Sequence, residues 1–299
     1  MPPDQTIEYR DRENGRIVQE PLLHDGAQRW IYRHAIVHWV LDRLVNNAAF
    51  CAYYGRSRSS FRSREGIADF VAEHGIDTDE FERPVDSYES FNAFFTRRLK
   101  PGARSFERDA DVFCAPADGK VLVHPDLSAE PRIFVKGVQL SIASLLDSED
   151  AARPFSEGSA LVVRLAPYDY HRFHFPDSGR AGQARTVAGR YHVVNPIGLG
   201  RVPDAFLRNK RSITEIDSGG FGAIAYVEVG GFTVGSIVQT YEPGPVERGQ
   251  EKGYFQYGGS TLVLLFQRGA VRFDDDLLRD SADGLEVHVK AATRLGQKG

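Results

Sequence analysis

"YGGSTLVLLF", residues 257–266, sets two glycines and a hydroxyl pair directly ahead of an unbroken apolar run. Such a run reads as a strand buried on both faces, entered through a bend that glycine makes without strain. The texture recurs on both sides of it. "GKVLVHP", "ALVVRLAP", "RYHVVNP", "GAIAYVEVG", "FTVGSIVQTY" and "LEVHVKAAT" are short valine-rich runs separated by glycine, proline and other turn residues. From residue 106 to residue 299 this spacing predicts a glycine-punctuated antiparallel β sandwich or barrel.

Residues 1–105 read differently. "RWIYRHAIVHWVLDRLVNNAAFCAYY", residues 29–54, carries His34, His38, Asp42 and Asn46 four apart, with Trp30, Ile31, Val37, Val40, Leu41 and Leu44 over the remaining surface. This is the pattern of an amphipathic helix with a broad apolar face. Charges interrupt it too often for the roughly 18 consecutive apolar residues of a spanning helix. "YYGRSRSSFRSR" follows, with Arg56, Arg58, Arg62 and Arg64 and no acid. Tryptophan beside a basic cluster suits an anionic membrane surface, and a core-packing helix with a solvated loop fits the same residues. Helices are also expected over 63–75 and 87–100, each opening on a serine. The fold class is therefore α+β, a helical, membrane-associating region at 1–105 ahead of a β-rich domain at 106–299.

With 299 residues, 41% of them apolar, the chain buries one large core or one core with an appendage. Its formal charge of -4, from 37 basic and 41 acidic residues, argues against a nucleic-acid partner. Cys51 and Cys114 stand in unrelated contexts, so neither a disulfide framework nor a zinc site is expected. The polar start "MPPDQTIEYRDREN" lacks a secretory signal, which places the chain in the cytoplasm.

Chemistry concentrates in a few stretches. "APADGKV", residues 115–121, sets Asp118 before a glycine, as an ordinary Asp-Gly turn also does. "APYDYHRFHFP", residues 166–176, presents His171 and His174 three apart among aromatics. No carboxylate or cysteine at ligand spacing completes a metal site, so general-base work is the better functional reading. "NPIGLGRVPDAFLRNKRS", residues 195–212, is a surface connection with a basic end.

Taken in order, "FFTRRLKPGAR", "APADGKV", "YDYHRFHFP", "FLRNKRS", "VGSI" and "GGSTLVLLF" resemble the phosphatidylserine decarboxylase proenzymes, of the shorter bacterial type. The resemblance runs from about residue 5 to about residue 270. It implies that the chain cuts its own peptide bond between Gly259 and Ser260, leaving a large chain 1–259 and a small chain 260–299 that remain together as a heterodimer or a higher oligomer. Ser260 Oγ attacks the Gly259 carbonyl, and the resulting ester is lost by β-elimination. The dehydroalanine left behind hydrolyses to a pyruvoyl group and ammonia, so that Ser260 becomes the cofactor. Asp118, His174 and Ser260 are implied to act together, His174 as base and Asp118 as the group that fixes its tautomer. The pyruvoyl ketone then forms a Schiff base with the serine head group, and His171 is the candidate proton donor and holder of the substrate carboxylate. The implied product is phosphatidylethanolamine, made in phospholipid biosynthesis by a peripheral enzyme on the cytoplasmic side of an anionic cell membrane. A pyruvoyl enzyme for free aromatic amino acids, or a non-enzymatic membrane-tethered β module, answers to part of the same pattern. A second glycine, Gly258, ahead of the scissile bond departs from the usual family sequence and is expected to loosen the loop.

Overall fold

The computed structural model describes residues 8–20, 48–129, 132–135, 138–190, 205–231, 237–258 and 260–299. Trp30, Trp39 and the helix expected around them up to residue 47, the strand expected in "RYHVVNP" beyond Arg190, the connection 195–212 up to residue 204, the "VGSI" segment up to residue 236, and Gly259 lie outside the described residues. Within the described residues the chain is α+β, with strands in the majority.

The strands, in chain order, are β1 Glu8–Asp11, β2 Ile17–Gln19, β3 Val112–Cys114, β4 Gly119–His124, β5 Arg132–Val135, β6 Val138–Ser141, β7 Ser159–Leu165, β8 Arg172–His174, β9 Gly179–Ala181 and β10 Arg185–Val187. There follow β11 Arg211–Ser218, β12 Gly222–Gly230, β13 Ile237–Gln239, β14 Gly244–Val246, β15 Glu251–Phe255, β16 Ser260–Phe266, β17 Val271–Phe273, β18 Glu286–Val289 and β19 Arg294–Lys298. Eleven of them form one sheet in the order β14-β9-β11-β12-β16-β7-β4-β18-β1-β2, with β10 beside β11. β1 runs parallel to β18, and the other pairs in this sheet are antiparallel.

The central strands are apolar throughout because both of their faces are covered. Leu161, Val163 and Leu165 of β7 and Leu262, Leu264 and Phe266 of β16 face one core. Phe113, Phe173, Phe255 and Phe273 reach that core from two three-stranded sheets, β13-β15-β8 and β17-β19-β3. Ala160, Val162, Val263 and Leu265 face the opposite way, against the β5-β6 hairpin and the helices Ile142–Leu146 and Glu149–Ala152. The strand order ends at β14 and β2 without returning on itself, so the barrel expected as one alternative is absent among the described residues. Layers on both sides of the sheet bury both faces of β7 and β16.

The N-terminal part supplies the helices Ala48–Arg58, Ile67–His74 and Phe91–Phe95. The last two are shorter than the sequence predicts. Ser90, not Ser87, caps the third, its side chain accepting from Ala93 N, while Ser63 Oγ accepts from Phe91 N and so ties the two together. Ile67, Phe70, Phe81, Tyr88, Phe91, Phe94 and Phe95 form a third core, against which Tyr168 and Tyr257 pack. The helical part thus sits on the loop after β7 and the loop before β16. No helix among the described residues is long and apolar enough to cross a membrane.

Candidate active site

Register brings three distant pieces of sequence to one end of the large sheet. Ser260, the first residue of β16, pairs with Leu165 at the end of β7 and with Gly230 at the end of β12. Lys120 in β4 pairs with Arg164, which sets Asp118 and Gly119 beside the same end. The loop from 166 to 171 leaves β7 there. Gly119 has φ +154, and a Cβ on it would lie 2.7 Å from the Arg164 carbonyl oxygen, so the Asp-Gly pair is required by close approach of two strands. Gly258 turns the chain into β16 at φ +140, a conformation that side chains other than glycine rarely adopt.

Ser260 is fully buried, and its Oγ lies 3.3 Å from His171 Nδ1. His171 is also fully buried, stacked at 3.8 Å on Phe95, which in turn meets Tyr257 at 5.1 Å. Its Nε2 is 3.0 Å from the Ala166 carbonyl oxygen. A carbonyl can only accept, so Nε2 carries the hydrogen and Nδ1 offers a lone pair to the serine hydroxyl. Burial pushes the imidazole down to about 3, with Asp169 opposing and Arg97 and Lys120 adding to the depression, so the ring is neutral at physiological pH.

His174 stands apart from this pair. Its backbone N–H donates to Pro116 O at 2.8 Å, and its ring lies between Phe106 and Tyr170. Its Nδ1 is buried without a hydrogen-bond partner. Burial lowers its pKa, while Glu251 and Asp118 pull it back upward. Asp118 accepts from Arg104 Nε at 2.9 Å, from Arg104 Nη2 at 2.7 Å and from Ala291 N at 2.8 Å. Among the described residues no hydrogen bond joins Asp118 to His174, or His174 to Ser260. The imidazole that touches Ser260 is therefore the one the sequence reading reserved for substrate.

Several residues of this region escape sequence reasoning. Lys120 Nζ, without exposed surface, lies 3.1 Å from Asp169 Oδ2 and 3.1 Å from Tyr168 OH. Asp169 is held below the usual carboxylate range, since Lys120 and His288 outweigh the upward push of burial. Arg97 donates from Nη2 to the Tyr168 and Asp169 carbonyls, and Arg172 donates back to the carbonyls of Thr96 and Arg97. The available signal was charge within strand-like or aromatic runs, since a buried charge requires a partner. Among the described residues no cluster of three or more histidine, cysteine or acidic side chains is arranged to hold a metal ion.

The match to known proteins covers this whole site. The phosphatidylserine decarboxylase family model matches residues 91–297. The phosphatidylserine decarboxylase proenzyme of Ruminiclostridium cellulolyticum is 40% identical over 257 residues, 86% of each chain. That of Chlamydia muridarum is 40% identical over 291 residues, 97% of each chain, and that of Fusobacterium nucleatum is 35% identical over 293 residues, 98% of each chain. On the matched family and the identity over almost its full length, the chain belongs to the phosphatidylserine decarboxylase family.

Proposed function

We propose that this chain is a self-processing precursor of a pyruvoyl-dependent decarboxylase that converts phosphatidylserine to phosphatidylethanolamine and carbon dioxide. One observation carries this reading: a buried serine hydroxyl, directly after a glycine-only bend, faces an imidazole nitrogen that can only accept. Cleavage falls between Gly259 and Ser260, with Asp118, His174 and Ser260 as the groups that perform it. The surroundings suit a pyruvoyl group at residue 260. The position is shielded from water, an imidazole faces it, and two buried side chains of the adjoining segments, His174 at Nδ1 and Arg97 at Nε and Nη1, have no partner. Such a group supplies the sink for the electron pair left when carbon dioxide departs. His171 Nδ1 takes a proton from the head-group ammonium and returns one to the substrate α-carbon.

The two products of cleavage stay together because their strands interleave. β16 lies between β12 and β7, β18 lies between β4 and β1, and β19 pairs with β3. The small chain 260–299 therefore leaves only if the large sheet comes apart. The proposed division into a helical part at 1–105 and a catalytic part at 106–299 is supported by the third aromatic core, while β1 and β2 of the first part join the large sheet.

Intact-mass measurement of the purified protein tests this function, coupled to carbon dioxide release from phosphatidylserine vesicles and, in a parallel arm, from free tyrosine and tryptophan. Two chains, the smaller one 260–299 with a pyruvoyl mass at its N-terminus, and release from the lipid alone are expected. Release from the free amino acids alone would give the soluble alternative, and a single 33.3 kDa chain would exclude both enzymes.

The enzyme is proposed to work as a peripheral protein on an anionic membrane, on its cytoplasmic side. Tyr53 is 72% and Phe61 67% exposed, and Arg56 and Arg62 are exposed beside them. Each arginine adds about 1 kcal/mol of attraction near an anionic surface, and salt screens it. Arg56→Gln with Arg62→Gln and Phe61→Ser is expected to lower co-sedimentation with anionic vesicles several-fold at low salt and to leave cleavage intact. Unchanged sedimentation would move the membrane contact elsewhere.

A further inference from the structure

The turn that leaves β7 is closed twice by one residue. Asp169 N–H donates to the Ala166 carbonyl at 2.9 Å, and Asp169 Oδ2 accepts from Ala166 N–H at 2.6 Å. Main chain and side chain of residue 169 thus pin residue 166 from both sides. The pinned carbonyl is the one that accepts from His171 Nε2, and its position decides which nitrogen of that ring carries the hydrogen. Arg97 Nη2 holds the same turn from the helical side, through the carbonyls of Tyr168 and Asp169.

The carboxylate itself is kept in place by charge. Lys120 Nζ lies 3.1 Å from Oδ2, and His288 Nε2 lies 3.4 Å from Oδ1. Neither Lys120 nor Asp169 is hydrogen-bonded to Ser260. A buried ion pair of this kind contributes little net stability compared with apolar residues of the same volume. What it does maintain is an ionised carboxylate under Ala166, two bonds of the network away from His171.

We propose that Asp169, backed by Lys120, is a positioning residue: by pinning Ala166 it fixes His171 in the Nε2–H tautomer and so turns an accepting nitrogen toward residue 260. The consequence for catalysis rests on the function proposed above, whereas the tautomer does not. With residue 166 unpinned, Nε2–H loses its fixed acceptor and the ring samples the other tautomer, in which Nδ1 presents a hydrogen to residue 260 and cannot take up a proton.

The test reads the tautomer directly, in a chain that cannot process. In Ser260→Ala protein labelled with nitrogen-15 in the histidine rings, the His171 signal, identified by its loss in His171→Gln, is expected to show the Nε2–H form. Asp169→Ala combined with Lys120→Met removes both charges and the acceptor, and a mixture of tautomers is expected. Asp169→Asn with Lys120→Met restores an oxygen that accepts from Ala166 N–H, and the Nε2–H form is expected to return. In chains that retain Ser260, the alanine combination is expected to lower kcat about 10²-fold, on the scale of one acid–base group, with KM changed less than threefold, and the asparagine combination to recover most of it. An Nδ1–H form in the Ser260→Ala chain, or an undisturbed Nε2–H form in the alanine combination, would overturn the proposal. If the alanine combination does not fold, the asparagine combination decides, since loss of the Nε2–H form there contradicts pinning through a hydrogen bond. Should the wild-type chain fail to cleave or to act on lipid, the proposed function falls and the tautomer result stands.

Discussion

Ser260→Ala and His174→Ala chains are expected to remain uncut and inactive, whereas His171→Ala is expected to mature at least in part and to turn over poorly. Proximity and electrostatics point to different histidines for the first step. His171 touches Ser260 Oγ in the uncut chain, with Nε2 tied to the Ala166 carbonyl and burial lowering its pKa to about 3. His174 has an unpartnered Nδ1, and Glu251 and Asp118 pull its pKa back up against burial. A buried imidazole nitrogen without a partner is free to take the proton of a hydroxyl. On the proposed function, His174 is assigned to cleavage and His171 to turnover at the finished site. A denaturing gel and intact mass of the three variants, with carbon dioxide release from phosphatidylserine vesicles, check the assignment. Loss of all activity is expected for the first two. For His171→Ala a drop of about 10² to 10⁴-fold is expected, the range of a lost acid–base group. An uncut His171→Ala beside a fully processed His174→Ala would exchange the two roles, and normal cleavage of Ser260→Ala would remove the mechanism.

Of the large sheet, β9, β10, β11 and β14 were not read as strands, being short or rich in polar residues, whereas β4, β7, β12, β16 and β18 were legible in the sequence, β7 and β16 most plainly because cover on both faces makes their apolar runs continuous. Their order was not. β16 lies between β12 and β7, and β18 between β4 and β1, pairings set by contacts up to hundreds of residues apart that leave no local mark. The hairpin β1-β2 did leave one: "YRDRENGRIV", with Asn14 and Gly15 between alternating residues, is a turn signal, and Gly15 takes φ +71. At the candidate site, Asp118, the two histidines and Ser260 were singled out by type and resemblance. Which histidine reaches Ser260 depends on the turn closed by Asp169, and three apart in sequence the two rings look alike. Lys120 and Arg164 appear in the sequence as single charges within strands, and Lys252 as one of two adjacent charges in β15. Only the fold shows that each is buried against a carboxylate, Lys252 against Glu228 with the Tyr226 ring 4.9 Å away.

The largest loss of stability is expected from Arg164→Met. Arg164 is buried in β7 and holds two carboxylates that come from opposite ends of the chain. Its Nη1 and Nη2 donate to Glu20 at 2.8 Å and 2.6 Å, and Nη2 and Nε donate to Glu286 at 2.6 Å and 3.1 Å. Burial alone would lower the guanidinium, but Glu286 and Glu20 raise it well above its ordinary value, so the arginine is always charged. Without it, two buried carboxylates lose the guanidinium that both of them pair with. Removing one partner of a buried ionic group costs about 3–5 kcal/mol, far more than the intact group contributes over an apolar replacement. The penalty is electrostatic and has a sign in pH: carboxylates stranded in this way have folded pKa values above their unfolded ones, so stability is present at low pH and lost as pH rises through the raised folded values. The gap between variant and wild type should therefore narrow on acidification. Glu20→Gln and Glu286→Gln added to Arg164→Met should recover most of the loss at neutral pH. Denaturant unfolding at several pH values, in a Ser260→Ala background so that processing does not intrude, measures all of this. On the proposed cleavage, Glu286 falls in the 260–299 chain and Glu20 in the large one, so the same arginine, on an interior strand, would join both products. An Arg164→Met chain within 1 kcal/mol of wild type would mean that the three charges are not buried together.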